Sequence, residues 1–246
     1  MHPARSADAI IEKRGILRPD EIRIDLLAFL EGACVVWGDA GRADARVARS
    51  GEEALITLPR AAFGMARARF SIAHELAHHL LHPGDDSIAR IHGLPPSDAR
   101  AFRCEWEANE FARHLLVPTS LAASMCTAAA PPLSRVMELA RAFDVSLSVA
   151  ARRWAELSPA PCAFVEAQAG KVKWATRSSA FRGEAVKGRV LDDGSLALDL
   201  TCGWSRGERT RTHRAAWGSA RAGSEVVEEC VPLGKSGTVL AWLWHE

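Results

Sequence analysis

The chain has 246 residues, enough for one large domain or two to three small ones, and 48% of them are hydrophobic and 25% charged, as in soluble globular proteins. A net charge of +1 excludes a strong electrostatic field that would recruit nucleic acid or a membrane surface. With no apolar run near the roughly 18 residues of a membrane span, no signal peptide and no CxxC spacing among six cysteines, we expect a cytoplasmic protein with reduced thiols and no membrane contact.

The first part of the chain predicts two helices and a small sheet. The helices are expected over residues 7–14 and 19–31. Alternating apolar residues separated by Gly38 and Gly51 predict three short strands, at 33–37, 44–49 and 54–58. The last strand, from Ala54 to Leu58, is a candidate edge strand for an extended peptide substrate, with an ordinary sheet core as the alternative interpretation.

The next helix, predicted over residues 66–82, carries the motif HExxH. Its His74 and His78 are one helical turn apart, so both imidazoles can reach one metal ion, and Glu75 directly follows the first histidine. The flanking residues are apolar, and Pro83 with the glycine after it forms a clear stop signal. The alternative is a buried helix with core histidines that bind no metal.

A catalytic zinc site needs a third protein ligand and one open position. The following helix, which ends at Pro118, offers Glu105, because a carboxylate on its apolar face needs the compensating charge that a metal supplies. Asn109, one turn later, is predicted to accept a hydrogen bond from a zinc histidine and orient it. Glu107 and Glu110 are expected on a solvated face. Other candidates for the third ligand remain open: His82, Asp85, Asp86 and His92.

This set of residues predicts amide hydrolysis without a covalent intermediate. Zinc held by two imidazoles and a carboxylate acidifies a water molecule and polarises the attacked carbonyl, and Glu75 can take up the proton and deliver it to the leaving amine. A donor for the oxyanion must be histidine or arginine, because the chain has no tyrosine. Candidates for it are His82, Arg90 and His92.

The strings RARFSIAHELAHHLLH and EWEANEFARHLLVP resemble the two signature segments of the ImmA/IrrE family of metallopeptidases. The resemblance covers residues 20–118 and continues more weakly to about residue 157. It implies that His74, His78 and Glu105 hold Zn2+, with Glu75 as general base. It also implies a bacterial endopeptidase that cleaves a helix-turn-helix (XRE-type) transcriptional repressor and so derepresses stress-response or mobile-element genes.

Two further segments follow the predicted peptidase core. Three short helices predicted at 119–126, 133–143 and 146–156 resemble a helix-turn-helix, whose arginines would allow DNA contact, although such helices often only pack on a neighbour. From about residue 158, glycine-rich alternating runs predict a β-rich domain. Its expected strands are 162–167, 171–175, 195–200, 225–230 and 237–244.

The predicted fold class is α+β, with a zincin-like peptidase core over residues 1–118, a helix-turn-helix-like segment over 119–157 and a β-rich domain over 158–246. The last domain resembles the GAF-like sensor domain of some ImmA/IrrE relatives. Three alternative functions remain: a transcriptional regulator with a vestigial site, a module that binds its repressor without cutting it, and another zinc hydrolase such as a deamidase.

Overall fold

The computed structural model forms two compact units, one of residues 1–121 with 141–146 and the other of 122–140 with 147–246. The predicted division into three domains at residues 118 and 157 stays a prediction. The structure describes residues 2–41, 44–83, 99–127, 133–182, 187–203, 209–213, 217, 225–234 and 237–244. Within these residues no helix is both long enough and apolar enough to cross a membrane.

The first unit combines helices with a small sheet. Its elements in chain order are α1 (Pro3–Lys13), α2 (Ile24–Leu30), β1 (Ala33–Gly38), β2 (Arg46–Ser50), β3 (Glu53–Pro59), α3 (Ala66–Leu81) and α4 (Ala99–Leu116). The helix predicted over 19–31 is interrupted, because a 3₁₀ turn at Pro19–Glu21 precedes α2. There the Glu21 carboxylate accepts the backbone N–H groups of Leu17 and Arg18 and fixes this turn instead of a continuous helix.

The three strands form a mixed sheet in the order β1-β3-β2. Strand β3 pairs in parallel with β1 and antiparallel with β2, so both of its edges are hydrogen-bonded. Its alternate residues Ala54, Ile56 and Leu58 are buried. The hypothesis that this segment is a free edge strand is therefore wrong, and the sheet-core interpretation holds. Among the described strands, β1 and β2 are the outer ones of this sheet.

Helices α3 and α4 pack against each other over much of their lengths. Helix α3 buries Ile72 and Leu76, and α4 buries Phe111 and Leu115. Burial of each such side chain contributes about 1.5–3 kcal/mol to folding. The fully buried alanines of α4, among them Ala108, keep its packing face small and allow a close approach of the two helices. This pairing brings the HExxH helix beside the predicted third ligand.

The remaining elements are α5 (Thr119–Ala122), α6 (Leu133–Ala142), α7 (Leu147–Leu157), β4 (Cys162–Gln168), β5 (Lys171–Arg177), α8 (Leu196–Cys202), β6 (Arg209–His213), β7 (Glu225–Pro232) and β8 (Thr238–Trp244). The strands form one antiparallel sheet in the order β5-β4-β8-β7-β6. A β-rich C-terminal region and short helices before it are present as predicted, in a mixed helix and sheet fold. The helix-turn-helix and GAF-like identities stay predictions.

The strand predicted over residues 195–200 is wrong, because this segment forms helix α8. Its leucines at every second position, 196, 198 and 200, predict a strand. In the fold, the buried carboxylate of Glu228 accepts the backbone N–H groups of Leu196 and Ala197, which are free at the first turn of a helix. A partner on β7, distant in the sequence, thus decides the local conformation.

Candidate metal centre

Helix α3 places the two motif histidines on one face, as the spacing predicts. The Nε2 atoms of His74 and His78 lie 3.1 Å apart. The side chain of His78 is fully buried and that of His74 is 13% exposed. The two imidazoles therefore present their Nε2 atoms to a common point that remains partly accessible to solvent.

Helix α4 brings the carboxylate of Glu105 to the same point. Its Oε2 lies 3.3 Å from Nε2 of His74, and its Oε1 lies 3.4 Å from Nε2 of His78. Within the described part of the chain, these three residues are the one group of His, Cys, Asp or Glu side chains whose ligand atoms all lie close enough to share a metal ion. Two nitrogen donors and one oxygen donor suit a divalent transition metal or zinc.

The electrostatics of the group agree with the protonation states that metal binding needs. Burial lowers the pKa of His78, and the hydrogen bond with Glu105 opposes this only in part. Burial raises the pKa of Glu105, but hydrogen bonds with His74 and His78 outweigh it and hold the pKa of this carboxyl well below its ordinary value. A neutral imidazole and an ionised carboxylate are the forms that bind a metal ion.

The other predicted site residues occupy different environments. Glu75 follows His74 on α3 and is 2% exposed. Asn109 donates its side-chain Nδ2–H to the backbone oxygen of Glu105 at 2.7 Å, and its predicted role as an acceptor for a histidine stays a prediction. The candidate residues Asp85, Asp86, Arg90 and His92 lie outside the described residues.

His82 lies on the far side of His78 from Glu105. Its Nδ1 is 3.2 Å from Nδ1 of His78, and its Nε2 is 2.9 Å from Oε2 of Glu107. The expectation of a solvated face is wrong for Glu107, whose carboxylate is held by His82 and by Arg103, and for Glu110, whose side chain is only 15% exposed. The spacing of three histidines at four-residue intervals could have placed His82 beside His78, but no local pattern reveals its carboxylate partner.

Arg49 on strand β2 is a second residue that the sequence did not reveal. Its guanidinium donates to the backbone oxygen of His82 at 3.0 Å and also to the backbone oxygen of His78. These carbonyl groups lie at the end of α3, where the oxygen of His78 also accepts the backbone N–H of His82 at 3.3 Å and His82 directly follows the helix. Arg49 therefore ties the end of the metal helix to the sheet.

Comparisons with known proteins agree with this site. Residues 60–155 match the family described as the IrrE N-terminal-like domain. A radiation response metalloprotease IrrE of Deinococcus deserti is 35% identical over 95 residues, which are 39% of this chain and 34% of that protein. Its counterpart in Deinococcus radiodurans is 30% identical over 105 residues, 43% of this chain and 32% of that protein. The matches thus span about a third of the length of these curated relatives.

A solved structure described as a Mycobacterium tuberculosis transcriptional regulator has a TM-score of 0.62 with this chain at 19% identity, over 98% of this chain and 74% of that chain. At this identity the likeness shows a shared fold alone. The matched segment, by contrast, contains α3 and α4 with the converging His74, His78 and Glu105. Through residues 60–155, the chain is thus similar to the IrrE N-terminal-like domain.

Proposed function

We propose that this chain is a zinc-dependent endopeptidase whose metal ligands are His74, His78 and Glu105. The observation that carries the proposal is the convergence of two imidazole nitrogens and one carboxylate on a single point, with the Glu75 carboxylate buried on the same helix. The match of residues 60–155 to the IrrE N-terminal-like domain and the metalloprotease names of two relatives support it.

The spacing of the three ligands supports zinc as the metal. Tetrahedral zinc with bonds of about 2.0–2.1 Å to nitrogen and oxygen needs ligand atoms roughly 3.3 Å apart. The measured separations among His74 Nε2, His78 Nε2 and Glu105 are 3.1, 3.3 and 3.4 Å. Three protein ligands also leave one position of a tetrahedron for a reactant, as catalytic zinc sites do.

Glu75 is the proposed general base. When bound, the zinc ion would supply a Lewis acid for the scissile carbonyl and acidify a water molecule. Glu75 adjoins His74 in the sequence and shares its helix, so a rigid element holds it at the reaction centre. There it takes up a proton from water and returns it to the leaving amine. Its burial removes competing bulk water from one side of the carboxylate.

The proposed substrate is a helix-turn-helix (XRE-type) transcriptional repressor, whose cleavage in the cytoplasm would derepress stress-response or mobile-element genes. Support for this part comes from the resemblance to the ImmA/IrrE family and from relatives named for a radiation response. Asn109 retains its proposed role in orienting a metal histidine.

The test compares wild type with Glu75→Gln and with Glu110→Gln, a control on the same helix as Glu105. Glu110 pairs with Arg113 and His114, away from the three ligands. Metal content is measured by elemental analysis, and cleavage is followed by gel and mass spectrometry with an XRE-type repressor from the same genome.

We expect wild type and Glu110→Gln to bind zinc and to cleave the repressor. Glu75→Gln should keep the zinc and lose cleavage by about 10²–10⁴-fold, the range that general base catalysis contributes. A wild-type protein without zinc, even after reconstitution, would overturn the proposal. Cleavage retained in Glu75→Gln would overturn the mechanism, and zinc-loaded wild type that binds the repressor without cutting it would point to a binding module.

A further inference from the structure

A series of hydrogen-bonded side chains extends outward from His78 to the surface of α4. Nδ1 of His78 lies 3.2 Å from Nδ1 of His82, and Nε2 of His82 lies 2.9 Å from Oε2 of Glu107. The other oxygen of Glu107, Oε1, accepts from Nε of Arg103 at 2.9 Å. His82 is 8% exposed, so the middle of this series of side chains is shielded from solvent.

The geometry permits one consistent assignment of protons along these groups. A neutral imidazole that binds a metal through Nε2 carries its proton on Nδ1. The Nδ1–H of His78 then donates to Nδ1 of His82, which must be unprotonated to accept. The proton of His82 consequently lies on Nε2 and donates to the carboxylate of Glu107. Each donor meets one acceptor.

His82 is not placed to bind the same ion as His78. Its ring faces the Nδ1 edge of His78, whereas His74 and Glu105 face the Nε2 edge. A histidine that receives a hydrogen bond from a metal ligand, and is itself anchored by a carboxylate, fixes the tautomer and ring orientation of that ligand and raises its basicity.

We propose that His82 and Glu107 are positioning residues that hold His78 in its metal-binding tautomer and orientation. The inference rests on the proposed function, since it requires that His78 bind zinc through Nε2. It assigns two tasks to helix α4, which supplies the ligand Glu105 and, two residues later, the anchor Glu107. Helix α4 thereby acts on both edges of the His78 imidazole, directly through Glu105 and through His82 by way of Glu107.

The test measures zinc affinity rather than activity, by competition with a chromogenic chelator at neutral pH. The variants are His82→Leu, which removes the acceptor for His78, and Glu107→Gln, which weakens the anchor of His82. His82→Asn is the conservative variant, because its amide oxygen can take the place of Nδ1. Glu110→Gln is the matched control on α4. Circular dichroism and thermal unfolding of the metal-free proteins report on folding.

We expect His82→Leu to lower zinc affinity by about 10–100-fold and Glu107→Gln by about 10-fold, the range found for residues that orient metal ligands. His82→Asn should restore part of the loss, and Glu110→Gln should match wild type. A folding defect alone would not produce this ranking among variants whose metal-free unfolding temperatures are equal. The repressor assay should show a lower kcat with KM unchanged for Glu107→Gln, even with zinc in excess.

Two outcomes contradict the inference in distinguishable ways. If wild type binds zinc and both Glu107→Gln and a folded His82→Leu bind it as tightly, the positioning role of His82 and Glu107 is overturned while the metal site stands. If wild type binds no zinc, the proposed function fails, and the positioning role of His82 and Glu107 fails with it. Because Glu107 is partly exposed and Gln keeps its shape, Glu107→Gln remains informative even if His82→Leu does not fold.

Discussion

The two units of the molecule each contain a carboxylate with several close polar partners, and the two clusters are opposite in character. In the first, Glu105 approaches the Nε2 atoms of His74 and His78, all of which can offer electron pairs. In the second, Glu228 receives five hydrogen bonds from protein donors. They come from the backbone of Leu196 and Ala197 and from the side chains of Ser195, Trp217 and Cys230.

This difference separates a binding site from a structural element. Converging electron-pair donors require a positive charge among them, which a metal ion supplies. The lone pairs of a carboxylate surrounded by N–H and O–H donors are already used in hydrogen bonds and are not available to a ligand. An acidic side chain with several close polar partners is common to both clusters and so does not indicate function. The kind of partner does, because an imidazole nitrogen can bind a metal ion whereas backbone and indole N–H groups can only donate.

The largest expected effect concerns Glu105. Replacing it by glutamine keeps the size of the side chain but removes the negative charge, so zinc affinity should fall by more than about 100-fold, beyond the range for residues that only orient ligands. Chelator competition measures the affinity. Glu228→Gln serves as the reciprocal control and should bind zinc as tightly as wild type. Equal zinc affinity in Glu105→Gln and wild type would show that the charge of Glu105 is not needed to bind the ion.

The second prediction concerns the stability of the β-rich unit. Glu228→Ala leaves the backbone N–H of Ala197 and the indole N–H of Trp217 without their buried acceptor, and should cost about 2–4 kcal/mol of unfolding free energy. Urea unfolding followed by tryptophan fluorescence measures the loss. Asp193→Ala, at an exposed position of the same unit, should change stability little. A stable Glu228→Ala variant would show that the five hydrogen bonds contribute no net stability.

The third prediction concerns the end of the metal helix. Arg49→Met keeps an unbranched apolar stem but removes the guanidinium and its hydrogen bonds to the carbonyl groups of His78 and His82, and should cost about 1–2 kcal/mol of unfolding free energy. Denaturant unfolding of the metal-free protein measures this. Arg67→Met is the control, because the ion pair of Arg67 with Asp44 is exposed and should contribute little. If the two variants lose the same free energy of unfolding, the hydrogen bonds of Arg49 do not stabilise the end of α3.

The smallest expected effect is the pH dependence of the Glu228 cluster. Burial raises the pKa of Glu228 above its ordinary value of 4.5 despite the donors around it. The folded state therefore holds this proton more tightly than the unfolded chain. Its contribution to stability is full below the unfolded value and is lost as pH rises through the folded pKa, with a slope of at most about 1.4 kcal/mol per pH unit.

Unfolding of wild type and Glu228→Gln across this pH range measures that contribution. The stability of wild type relative to Glu228→Gln should decrease as the pH rises. An advantage of wild type that grows with pH would contradict the assignment, and would indicate that the five donors stabilise the ionised carboxylate more than burial penalises it.

Prediction from the sequence succeeded where the pattern is local. It failed where a residue distant in the sequence determines the conformation or the pairing of a segment. The HExxH helix and the apolar face of α4 follow from residues within a few turns of one another, and both helices are present. The segment 195–200 was wrongly predicted as a strand, because its helix is anchored by Glu228, about 30 residues later in the chain. Likewise, pairing on both edges of β3 depends on the order of strands, which alternation of apolar residues does not specify.

The sequence by itself determined that His74 and His78 share one face of a helix, because a spacing of four residues in an α-helix allows nothing else. It also singled out Glu105, because a carboxylate on an apolar face needs a partner. Only the tertiary structure decided that Glu107 lies against His82 and that Arg49 reaches the end of α3, because these contacts depend on how α4 and β2 approach α3. The approach of separate elements is set by packing across the whole core, which no local pattern encodes.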